Sequence, residues 1–119
     1  NRVVDDLFLK RESLITAGVD REKIILDPGV GFGKTMKLNW ELLGFASFVS
    51  ESRVMIGSSR KRFIDALEMV DPAWLRERGV GDEDFLQLQK GRYSIEANAV
   101  IEKIAIEAGA DFMRVHERY

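Results

Sequence analysis

Along the first seventeen positions Val3, Val4, Leu7, Phe8, Leu14 and Ile15 recur close to the 3.6-residue period, which predicts an amphipathic helix over residues 3–17. Gly18 stands just past its end, where a C-cap glycine belongs. The pattern then changes. Ile24, Ile25 and Leu26 are consecutive, as in a short strand covered on both faces, and residues 23–27 are assigned to it. Pro28 cannot donate to a sheet ladder and should end the pairing. Leu38, Trp40, Leu42, Leu43, Phe45 and Phe48 give residues 36–49 the apolar face of a second helix, weakened at Gly44. Residues 53–57 form a second short apolar strand, after which Ser58 or Ser59 caps a helix running from about residue 60 to 70. Between 71 and 91 the pattern loosens: Asp71-Pro72 is a helix-start signal, Gly79 and Gly81 are breakers, and 82–90 predict a short helix. Ser94 then opens a strong helix through Glu107, with Ile95, Ala99, Ile101, Ile104, Ala105 and Ala108 as its apolar stripe. Gly109 ends it, and residues 111–116 form a third strand.

The order is therefore α-β-α-β-α-β, with connections long enough to be helical. Strands joined in this way are parallel, with right-handed crossovers. The carboxyl ends of all three strands then share one edge of the sheet. Asp27, residues 58–61, Arg114 and His116 all fall there, so an acid, a lysine and an Arg-x-His pair converge by topology alone. Residues 71–91 are expected to be an insertion on that same side. A three-stranded parallel sheet has two open edges, which are normally paired or covered, and a complete eight-fold barrel takes about 250 residues. Residues 1–119 are accordingly expected to form a single incomplete domain.

Composition narrows the function classes. A chain of 119 residues with 45% hydrophobic positions suits one folded domain and argues against disorder. The net charge of -2 supplies no basic field to attract nucleic acid. The absence of cysteine excludes disulfides and thiolate metal sites. No apolar run approaches the roughly 20 residues of a membrane helix, and the first residues read as neither signal nor transit peptide. The cytoplasm is the expected location.

The candidate chemistry centres on residues 27–35, a carboxylate at a strand end followed by a loop with glycines at 29, 31 and 33. Two phosphate-binding motifs are nearly matched and both fail. Pro28 stands where a P-loop needs its first glycine, and Lys34 where the dinucleotide fingerprint needs its third. Taken alone, the loop is equally well read as a βα turn whose glycines serve geometry. Lys61, in a Ser-Arg-Lys-Arg run, suits a solvated helix start, and a lone histidine such as His116 is more often structural. Trp40 and Phe45 read as core, Trp74 and Phe85 as residues pinning down the 71–91 stretch.

Three segments together change this weighing. Leu26-Asp27-Pro28-Gly29-x-Gly31-Phe32-Gly33-Lys34-Thr35 with Asn39, then Gly57-x-Ser59-Arg60-Lys61-Arg62-Phe63-Ile64, then Gly109-Ala110-x-x-x-Arg114-Val115-His116, resemble dihydropteroate synthase in order and approximate spacing. The resemblance covers residues 3–116. It implies an α/β fold, a partial TIM (β/α)8 barrel comprising its last three strands. It also implies a transferase of folate biosynthesis that joins p-aminobenzoate to the methylene carbon of a dihydropterin pyrophosphate, a sulfonamide target. Under it, Asp27, Lys61 and Arg114 bind the pterin, Arg114 and His116 the pyrophosphate, and Phe32, Lys61 and Arg62 the p-aminobenzoate. Arg62 would act with the dipole of the helix it starts. No general base is assigned, because an aromatic amine is already nucleophilic. Mg²⁺ is expected to assist pyrophosphate departure, with its ligand in N-terminal strands that this chain lacks and none here. A homodimer is expected, with no nucleic-acid or membrane partner. Val30 stands where the family usually carries a bulkier aromatic, and Glu117 where it carries aspartate. The 119 residues by themselves are expected not to turn over. Two other readings stay open: a different pterin-handling barrel, such as a methyltetrahydrofolate-dependent methyltransferase, and a non-catalytic half-barrel that acts by association.

Overall fold

The computed structural model describes residues 2–49 and 51–115. Helix α1 (Arg2–Thr16) comes first, then strand β1 (Ile25–Leu26), helix α2 (Met36–Leu42), strand β2 (Arg53–Ile56), short helices α3 (Pro72–Glu77) and α4 (Asp82–Leu88), helix α5 (Ile95–Glu107) and strand β3 (Phe112–Met113). The strands lie in the order β1-β2-β3 and both pairings are parallel. Ile25 and Leu26 face Arg53 and Val54; Met55 and Ile56 face Phe112 and Met113. Beyond β3 the ladder continues, with the Arg114 N–H donating to Ile56 O at 3.0 Å. The expected α/β alternation and parallel sheet are thus observed, with all three carboxyl ends on one edge.

The core lies between the sheet and the helices. Leu26, Val54 and Ile56 of the strands share one buried cluster with Trp40, Leu42, Leu43 and Phe45 and with Val100, Ile101 and Ile104 of α5. Trp40 stands edge-on to Phe63 with ring centroids 5.2 Å apart, and its indole N–H donates to Ala66 O at 3.2 Å. That bond satisfies the one polar atom of an otherwise buried aromatic. Thr35 caps α2 by accepting the Leu38 N–H, and Ser94 caps α5 by accepting the Ala97 N–H. In the first turn of α5, the Glu96 carboxyl is held below the ordinary carboxylate range. The bond from its own backbone N–H is the largest cause, followed by Ser94 Oγ and Lys90.

Several predicted elements are shorter or broken. Pairing in the first strand begins only at Ile25, because Arg21–Lys23 make a 3₁₀ turn. The helix expected over 36–49 ends at Leu42; Gly44 opens a separate 3₁₀ turn (Phe45–Phe48), so the predicted weakness is a break, and Phe48 is left exposed. The helix expected from 60 to 70 is replaced by two 3₁₀ turns, Arg62–Asp65 and Leu67–Met69. Arg60 there takes a positive φ of 58°, which no α-helix accommodates. On α5 the buried stripe is Ala97, Asn98, Val100, Ile101, Ile104 and Ala105, while the predicted members Ile95 and Ala99 are exposed. Within 71–91, Leu75 of α3, Val80 of the link between the helices and Leu88 of α4 enter the same core, and Trp74 and Phe85 pack against it. His116, the end of the predicted third strand, lies outside the described residues.

Candidate pterin site

The site begins where β1 stops. Asp27 follows the last paired residue, and its Oδ1 accepts the Gly29 N–H at 2.8 Å, so the carboxylate is fixed by the turn it starts. Gly29, Gly31 and Gly33 all have positive φ (70°, 91° and 62°), a conformation that side chains rarely adopt. Two further ties hold the loop. Asn39, buried on α2, accepts the Gly31 N–H through Oδ1 at 2.8 Å. The Lys34 ammonium donates to Gly29 O and Phe32 O, both at 2.9 Å. Lys34 is therefore consumed in shaping the loop. Phe32 is displayed at its tip, 58% exposed.

The second strand contributes Lys61 from the segment after Ile56. Its stem runs beneath the glycine loop: a Cβ at Gly31 would sit 2.7 Å from Lys61 Cδ. Its ammonium lies 4.3 Å from the centroid of the Phe32 ring, a cation–π contact. Arg114, the residue after β3, reaches the other way. Strands β1 and β3 are separated by the width of β2, so two steps of about 4.8 Å lie between them. The guanidinium crosses that gap over Gly57, where a Cβ would lie 2.8 Å from Arg114 Cζ. It ends with Nη2 3.6 Å from Asp27 Oδ2. Gly57 therefore supplies space rather than an unusual backbone conformation. Gly57, Ser59, Lys61, Arg114 and Val115 line one cavity of about 100 Å³.

The carboxylate, the ammonium and the guanidinium proposed from the sequence thus share one rim, with Phe32 beside the ammonium. Arg62, next to Lys61, is exposed and begins a four-residue 3₁₀ turn. That turn is too short for the helix dipole expected to assist it. Val30 is 1% exposed and belongs to the core rather than to the rim. Among the described residues no group of three or more His, Asp and Glu side chains is placed to hold a metal ion, and no helix is long and apolar enough to cross a membrane.

Two residues that sequence reasoning gave no role shape this site. Gly57 stood out only as one letter of a motif, and the register that sets it beside Arg114 exists only once the strands pair. Asn98 had a visible signal: it is a polar residue three and seven positions before Ile101 and Ala105, on the stripe that faces the core.

The chain is similar to known proteins over nearly its whole length. It is 33% identical over 114 residues to the dihydropteroate synthase of Mycobacterium leprae (strain TN), a match covering 94% of this chain and 36% of that one. The dihydropteroate synthase of Xanthomonas albilineans solved with 4-aminobenzoic acid superposes with a TM-score of 0.69 at 26% identity, covering 98% of this chain and 39% of that one. The same enzyme in complex with 7,8-dihydropteroate gives a TM-score of 0.64 at 29% identity, with 98% and 38% covered. This chain therefore spans a little over a third of the length of these relatives, and its three parallel strands are part of a (β/α)8 barrel. The family model described as pterin binding enzyme matches residues 1–116, and the chain belongs to that family.

Proposed function

We propose that this chain carries the pterin and p-aminobenzoate contacts of a dihydropteroate synthase, a transferase of folate biosynthesis. The observation that carries the reading is Arg114 laid across Gly57 onto Asp27, with Lys61 on the same rim. Names and bound molecules of the relatives support it: dihydropteroate synthases, one solved with 4-aminobenzoic acid and one with 7,8-dihydropteroate.

The magnitudes favour ligand entry. The Asp27–Arg114 pair is open to solvent, with the side chains 33% and 53% exposed, and such pairs are worth about 0–1 kcal/mol. The 2-amino pyrimidinone edge of a pterin offers Asp27 two parallel N–H donors, and hydrogen bonds to a charged group are worth roughly 1.5–3 kcal/mol each. The pterin displaces the guanidinium from Oδ2, while Oδ1 keeps the Gly29 N–H and a spare lone pair. Freed, Arg114 stacks on the pterin ring or, with His116, holds the pyrophosphate. Lys61 donates to the pterin carbonyl; Phe32, Lys61 and Arg62 border the p-aminobenzoate, whose place sulfonamides would take.

In the reaction the amine lone pair forms the new C–N bond at the pterin methylene carbon. The C–O bond to pyrophosphate breaks with its electron pair, and the amine proton is released. The cations at the strand ends stabilise the charge that develops on the leaving group. Mg²⁺ would serve as a further neutraliser of the pyrophosphate; the described residues offer no carboxylate or histidine cluster that fits it. A cytoplasmic homodimer completes the reading.

Turnover is tested by joining residues 1–119 to the part of the Mycobacterium leprae enzyme that the match does not span. The expected outcome is formation of dihydropteroate with release of pyrophosphate, lost in the Asp27→Asn version, while residues 1–119 alone give none. A chimera that keeps its full activity after the Asp27→Asn change would contradict the assignment.

A further inference from the structure

We infer that Asn98 is a positioning residue for Lys61, acting from α5 through the backbone of Arg60; this rests on the dihydropteroate synthase reading above. Asn98 is 1% exposed. Its Oδ1 accepts the Arg60 N–H at 2.8 Å, and its Nδ2 donates to Arg92 O at 2.7 Å and Ser94 O at 2.8 Å. One amide thus joins three pieces of chain: the segment after β2, the turn before α5, and α5 itself.

The three partners select the residue type. One is a donor and two are carbonyl acceptors, and an amide meets that demand in full. A carboxylate would set an oxygen against two carbonyl oxygens, and an apolar side chain would leave a buried N–H unmet. The bond to Arg60 matters most. Arg60 is one of two described non-glycine residues with positive φ, 58°. Such a conformation persists in a side-chain-bearing residue only when its surroundings over-determine it. The next residue is Lys61, whose ammonium sits over Phe32 and whose stem lies under Gly31. Releasing Arg60 toward negative φ would rotate the following peptide and turn Lys61 off the rim. A second tie supports the same arrangement: Asp65 accepts the Arg92 N–H through Oδ1 at 2.8 Å, and its Oδ2 lies 3.3 Å from Arg92 Nε.

The test is a double-mutant cycle on residues 1–119 with 7,8-dihydropteroate as the probe, its dissociation constant read by fluorescence titration and the fold by circular dichroism. Asn98→Ala and Lys61→Ala are each expected to weaken binding about tenfold, and the double variant to bind no more than about twofold worse than Lys61→Ala, since a residue acting through Lys61 has nothing left to position. Adding Arg60→Gly to Asn98→Ala is expected to recover most of the loss, because glycine holds positive φ without help. If Asn98→Ala does not fold, Asn98→Ser, whose hydroxyl can still bond Ser94 O, enters the same cycle. Losses that multiply, to about 100-fold in the double variant, would overturn the inference and leave the proposed function standing. A parent chain that does not bind the probe would overturn the proposed function and this inference with it.

Discussion

Arg114 is held against Asp27 by an absence, the missing side chain at Gly57. Gly57→Ala would place a methyl 2.8 Å from Arg114 Cζ and 2.9 Å from Nε, so the guanidinium must leave. It is the end of a flexible, half-exposed side chain, and its departure costs the fold little, under about 1 kcal/mol. The expected outcome is a thermal midpoint shifted by a few degrees at most, with 7,8-dihydropteroate bound at least as tightly as by the parent, because the ligand no longer has to displace the guanidinium from Asp27. Clearly weaker binding would contradict the displacement of Arg114 by the pterin. Asp27, Lys61 and Arg114 were legible as letters because parallel topology sends the carboxyl ends of strands to one edge. What the letters did not carry is how the cations are seated. The packing of Lys61 under Gly31 and of Arg114 over Gly57 depends on strand register and loop path, which pairing between distant residues decides.

Elements differ in how far the site depends on them. The glycine loop is closed by side chains that follow it, Lys34 and Asn39, so its shape is carried by α2 as much as by its own glycines. Asn39→Ala would strand the Gly31 N–H in a partly buried position, at about 1–3 kcal/mol. Urea denaturation should register that loss, and Phe32 should become more accessible to quenching. Trp40→Ala removes a fully buried indole and its bond to Ala66 O, for which about 3–5 kcal/mol is expected in the same experiment. Helices α1 and α5 could be read from periodicity because their stripes run for several turns. The 60–70 segment misled because Phe63, Ile64 and Leu67 keep helical spacing while Arg60 takes the left-handed region and two 3₁₀ turns follow. On α5 the apolar pattern marks Ile101, Ile104 and Ala105 but not Ala97, Asn98 and Val100, because Asn98 is a polar residue on a face that buries it for its hydrogen bonds.

At the scale of the whole molecule, β2 is paired on both sides and, among the described residues, β1 and β3 on one side each. The core nonetheless forms within this chain, since α2, α5 and the strands bury one another. The proposed function requires that the rim bind ligand as a unit made of three strand ends. A segment that only associates with other chains would show a defined oligomer in sedimentation and no response to a pterin. The most direct measurement is calorimetric titration of residues 1–119 with 7,8-dihydropteroate, for the parent and for Asp27→Asn. Saturable binding by the parent is expected, with a loss of roughly 10- to 100-fold in the variant, the equivalent of one hydrogen bond to a charged group, since the asparagine amide keeps one acceptor oxygen. Equal affinity in the two, or no binding by a folded parent chain, would contradict the proposed function.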